Sequence, residues 1–286
     1  METAIHPRPF ALGGYISFWS GCYVAGCTFL AGLLLGGDAD RLFLPVWAAF
    51  SIAMFVYALH RRRRAELARA SSPRNSYLAE HPRLQSLVMV GFCAQAMVAT
   101  WLVDPFASLL VVAAPVGAMF YGAGSAGNQP RDRLVLKNMI VGAAITALSL
   151  ALVLPGCGFV PARLLPVSFC LCGVVMIDAM LCDIDDRSVD ACTETRTLPL
   201  WIGARSTSLL AVALECVVVI PLFVAAAVGV IPTADGIVWS AVFVLSMVVL
   251  QAVVRPDAWR DFVDLRLPVC ALVGWFILRM WSMPAT

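Results

Sequence analysis

Residues 180–203 read MLCDIDDRSVDACTETRTLPLWIG, and they follow directly on a long apolar run. Asp183, Asp185, Asp186, Asp190 and Glu194 fall within this stretch, in a chain of which only 13% is charged. On a helix turning ~100° per residue, Asp186 and Asp190 lie about 60° and 20° from Asp183. Those three carboxylates share a face, and Asp185 points elsewhere. Like charges held together repel unless a cation lies between them, and Mg²⁺, which prefers oxygen ligands and phosphate, suits such a face.

The sequence around this stretch is that of a membrane protein. Hydrophobic residues make up 61% of the 286 positions, well above the ~45–50% of soluble domains. Apolar runs of spanning length occur at 12–36, 42–60, 85–103, 105–124, 138–155, 164–182, 206–230, 236–254 and 267–283. Their lengths predict an all-α polytopic bundle of nine transmembrane helices, with residues 1–286 as one domain. The N-terminal METAIHPRPF lacks a strongly basic region or a clear cleavage site, so the first span is expected to be retained.

The connections alternate between short ones and longer basic ones. Seventeen of the twenty Lys and Arg residues fall on one side, including Arg61, Arg62, Arg63 and Arg64 in a run; Arg41 and Arg163 fall on the other, and Arg279 lies in the last span. The basic side is expected to be cytoplasmic, in a bacterial-type inner membrane, with the N-terminus and acidic stretch inside and the C-terminus outside. In this count Arg266 belongs to a cytoplasmic connection. Basic residues so distributed orient a membrane protein, and no nucleic acid is expected as a partner. Asp178, about one turn inside its span, should face the bundle and pair with another residue. Ten cysteines show neither zinc-ligand spacing nor a disulfide framework, and most read as small core residues. The paired Gly/Pro-interrupted helices and internal repeat of a secondary transporter are absent from the sequence.

This layout resembles the UbiA superfamily of intramembrane prenyltransferases. In that family the sixth span ends in D-x-x-D-x-x-x-D, followed by Thr-Leu-Pro and a glycine. Asp183, Asp186 and Asp190 keep the spacing, and Thr197-Leu198-Pro199 and Gly203 follow. The family's other motif, N-D-x-x-D-x-x-x-D after the second span, would fall on His60, Arg61, Arg64 and Ala68 if Tyr57 ends that span. All three of its aspartates are replaced. Arg74 and Lys137 resemble basic positions of the family.

The resemblance implies a cavity in which an isoprenoid diphosphate lies with its head at the cytoplasmic end. It makes Asp183, Asp186 and Asp190 the catalytic, Mg²⁺-binding residues, and Arg61, Arg64, Arg74 and Lys137 the diphosphate-binding ones. The expected activity is Mg²⁺-assisted transfer of a prenyl group to an aromatic or other lipid-soluble acceptor. The alternative is a non-catalytic subunit or scaffold, holding a quinone, pigment or lipid and open to a membrane-protein partner. In that version Arg61 or Arg64 pairs with Asp183 or Asp186 and neutralises an emptied site.

Overall fold

The computed structural model describes residues 9–67, 73–121, 133–157, 160–192, 195–253 and 259–282. It is helical, with no strand among the described residues. The principal helices are α1 (Phe18–Leu34), α2 (Phe43–Leu67), α3 (Pro82–Val103), α4 (Leu110–Tyr121), α5 (Leu136–Cys157), α6 (Pro161–Asp185), α7 (Ala204–Ala227), α8 (Thr233–Val253) and α9 (Trp259–Trp281). A slack turn at Val219 interrupts α7. Among the described residues, six helices are long and apolar enough to cross a membrane, namely α2 over Phe43–Arg62, α3, α5, α6, α7 and α8 over Thr233–Ala252. The chain is an integral membrane protein of the helical-bundle class.

Each expected span meets a helix, and the ends differ most at the two termini of the chain. The first run is divided: a helix at Pro9–Tyr15 precedes α1, and the break falls at Ser17, whose φ of 70° is left-handed. The last helix begins at Trp259 rather than at 267, which brings Asp264 and Arg266 into the helix. Arg266 is therefore not a loop residue. It is 5% exposed within the bundle, a correction to its place in the side-to-side charge count.

Packing decides which face of each apolar helix turns inward, because hydropathy alone does not distinguish the core from lipid. Trp239, Phe243 and Met247 of α8 are wholly buried, as are Leu30, Ile52 and Leu171. Trp101, Phe106, Leu165 and Trp281 are mostly exposed, as side chains on a lipid-facing surface can be. Two glycines mark where backbones approach most closely. A β-carbon on Gly26 of α1 would stand 2.5 Å from the backbone nitrogen of Pro268 in α9, and one on Gly142 of α5 would stand 2.6 Å from the carbonyl oxygen of Cys172 in α6.

The Gly142 contact sets the register of α5 against α6. The two helices pack side by side, and Gly142 lies opposite Cys172 and Met176. Lys137 is five residues before Gly142, and Asp183 is seven residues after Met176, so antiparallel packing brings them to the same end.

Candidate functional site

At that end, in the first turn of α5, Lys137 extends its ammonium between two carboxylates. Nζ lies 2.6 Å from Asp183 Oδ1 and 3.5 Å from Asp190 Oδ2. Asn138, the next residue, donates from Nδ2 to Asp183 Oδ2 at 3.2 Å. Both oxygens of Asp183 are thereby engaged. The side chains of Asp183 and Asp190 are 4% and 1% exposed and that of Lys137 is 18% exposed, so the pairing is shielded from bulk water. Such shielding strengthens an ion pair that would be worth little at a protein surface.

The acidic motif does not lie on one continuous helix. Regular helix ends at Asp185, Asp186 forms a turn, and a short helix resumes at Arg187–Cys192. The Asp190 amide still donates to the Asp186 carbonyl at 2.8 Å, so the chain keeps its winding through the break. Asp183 and Asp190 remain on one side, where Lys137 joins them, and Asp186 at the break is half-buried. Thr197 and Leu198 are buried close behind in sequence.

The structure thus brings together three of the residues singled out in the sequence: Lys137, Asp183 and Asp190. Arg61 has a different setting. It is 9% exposed, and its Nη1 donates to the carbonyl oxygens of Gly14 at 2.6 Å and Tyr15 at 2.8 Å. Those carbonyls close the helix Pro9–Tyr15, whose last C=O groups have no partners within the helix. The side chains of Arg64 and Arg74, and Ala68 as a whole, lie outside the described residues.

A second polar assembly, missed in the sequence apart from Asp178, occupies the bundle interior. Arg266 Nη2 is 2.8 Å from Asp178 Oδ1, and its Nη1 is 2.9 Å from Glu215 Oε1 and 3.2 Å from Ser246 Oγ. Tyr23 donates its hydroxyl to Asp178 Oδ2 at 2.8 Å. Asp178 therefore faces inward and is paired, as its depth requires. The five residues belong to α1, α6, α7, α8 and α9. Glu215 offered a signal in the sequence: a lone acid well inside an apolar run must find a cation.

The fit of a divalent cation can be judged from the donor set. Asp183 accepts from Lys137 on one oxygen and from Asn138 on the other, and Asp190 lies against the same ammonium. Among the described residues, no three Asp, Glu, His or Cys side chains converge as metal ligands. Mg²⁺ demands near-octahedral oxygen ligation at about 2.0–2.1 Å. The carboxylates, closed on an ammonium, do not fit it in this arrangement.

No family sequence model and no curated protein sequence matches the chain. Solved structures do match its fold. A UbiA homologue from Aeropyrum pernix K1, in its apo form, superposes with a TM-score of 0.64 at 13% identity, over 91% of this chain and 98% of that one. A UbiA homologue from Archaeoglobus fulgidus bound to GPP and Mg²⁺ gives 0.64 at 12% identity, over 94% and 98%. A structure of digeranylgeranylglyceryl phosphate synthase gives 0.54 at 14% identity, over 93% and 97%.

Proposed function

We propose that this chain, which has the fold of the UbiA homologues, is a prenyltransferase-like membrane protein. Its site takes an isoprenoid diphosphate where Lys137 meets Asp183 and Asp190, and the prenyl group passes to an aromatic or other lipid-soluble acceptor. One observation carries the reading: a cation from α5 and two buried carboxylates, Asp183 in the last turn of α6 and Asp190 just beyond it, meet at one end of the bundle. The Archaeoglobus fulgidus homologue bound to GPP and Mg²⁺ supports the substrate class. In the proposed orientation this end is cytoplasmic in a bacterial-type inner membrane, and residues 1–286 act as one unit.

The chain's own residues suggest how such a site would work. Lys137, Asp183 and Asp190 together carry a formal charge of −1, and an ammonium has three donors, so Lys137 can keep Asp183 while the donor nearer Asp190 turns to the diphosphate. Turned to the diphosphate, the ammonium donates to the oxygen that departs as the allylic C–O bond breaks, and the bonding pair leaves with the diphosphate. The allylic cation is captured by the acceptor, which forms the new bond and releases a proton. Asp183 positions the lysine. Mg²⁺, expected from the carboxylate spacing, is given no step here, because the donor set with Lys137 on Asp183 does not fit it.

The same closure favours a second reading, a non-catalytic protein of this fold that holds a quinone, pigment or lipid among its helices. Transfer from radiolabelled geranyl diphosphate by the full chain in liposomes with MgCl₂, across a panel of quinone-precursor and lipid acceptors, separates the two. The catalytic reading expects product that falls at least about 100-fold in Asp183→Asn, the scale of losing one preorganised electrostatic partner. No transfer by either protein across the panel gives the result to the non-catalytic reading, and equal turnover in both removes Asp183 from the catalytic site.

A further inference from the structure

We infer that Lys137 is the resident cation of the acidic site, a side-chain ammonium standing where the carboxylate spacing calls for a metal ion. The inference rests on the proposed reading only for identifying this end of the bundle as the site. Two of three closely spaced carboxylates are withdrawn from water, and positive charge must compensate them. Lys137 supplies one such charge, 2.6 Å from Asp183 and 3.5 Å from Asp190. A divalent cation ligated by Asp183 Oδ1 would be repelled at short range by the ammonium already on that oxygen. Asn138 holds the other oxygen.

The backbone beneath Lys137 is unusual where α5 opens. Val135, two residues earlier, has φ 64°, a left-handed conformation that a β-branched residue adopts only under constraint. Left-handed backbone costs roughly 1–2 kcal/mol for such a residue and persists only where its surroundings over-determine it. The Val135 carbonyl accepts from the amides of Asn138 and Met139, both at 3.0 Å, and so opens α5. That opening turn, with the register set at Gly142, directs Lys137 and Asn138 together onto Asp183.

The test is Mn²⁺ titration followed by electron paramagnetic resonance, on the full chain in nanodiscs of neutral lipid and with no isoprenoid present. Wild-type protein is expected to show no Mn²⁺ site that depends on Asp183. Lys137→Met is expected to gain one, binding at least about tenfold more tightly than anything in wild type, and Lys137→Met/Asp183→Asn is expected to lose it. Mn²⁺ bound by wild type and lost in Asp183→Asn overturns the inference, as does a folded Lys137→Met that gains no site. If Lys137→Met does not fold in metal-free buffer, recovery of a monodisperse protein with Mg²⁺ but not with K⁺ supports the inference. Failure in both buffers overturns it. Because the titration contains no prenyl donor, a failed transfer assay leaves its outcome unchanged.

Discussion

Arg266 of α9 lies 2.8 Å from Asp178 of α6, and the same guanidinium reaches Glu215 of α7 at 2.9 Å. One side chain thereby joins three helices inside a membrane bundle. Arginine suits the task because its planar fork serves two carboxylates at once. Replacing it with Met strands two buried acids, and Arg266→Met is expected to destabilise the fold by about 3–5 kcal/mol. Removing the charges together should be much milder. Thermal unfolding in detergent of Arg266→Met against the Asp178→Asn/Glu215→Gln/Arg266→Met triple variant checks this; equal losses would contradict it.

Arg61 bonds to the carbonyls of Gly14 and Tyr15. Arg61→Ala leaves these acceptors at the end of the Pro9–Tyr15 helix without that donor, and a loss of about 1–3 kcal/mol is expected. Limited proteolysis should show the segment before Ser17 cleaved faster in the variant. An unchanged cleavage rate would mean that the guanidinium does not hold this helix to α2.

Val135 adopts a conformation that glycine accepts without steric cost. Val135→Gly is expected to raise stability by roughly 1 kcal/mol, against the usual penalty for a new glycine. The midpoint of chemical unfolding reads the sign directly. A fall in the midpoint would show that the side chain contributes more through packing than the left-handed backbone costs.

Gly26 abuts the backbone of Pro268. Gly26→Ala must push α1 and α9 apart and is expected to cost about 1–3 kcal/mol, the scale of overpacking a core. Gly91→Ala is the control, since nothing lies within 4 Å of its added β-carbon. The thermal midpoints of the two variants should separate; if they fall together, the α1–α9 seam is not tightly packed.

Spanning helices were legible because their apolar runs are long and their boundaries carry charge, Gly or Pro. α9 was misplaced at its start for the same reason. Asp264 and Arg266 look like loop charges when charge marks the end of a span, and only their partners show otherwise. Lys137 and Asp183 were each singled out, one through phosphate and the other through metal, yet their mutual contact depends on the register set at Gly142. The replaced first motif was legible as a loss of carboxylates. That Arg61 bonds to carbonyls before α1 was not, because it follows from the break at Ser17.

The placement of Arg266 bears on how the protein is made. Glu215 leaves the ribosome 51 residues ahead of the guanidinium it will bond, and Asp178 leaves earlier still. Until α9 arrives, both acids sit in apolar helices without their cation, and α9 itself carries Asp264 and Arg266 near its leading end. Charged helices of this kind enter the bilayer poorly alone and depend on partners already in place. A chain cut short before Trp259 therefore keeps Asp178 and Glu215 in the membrane without the guanidinium that pairs them.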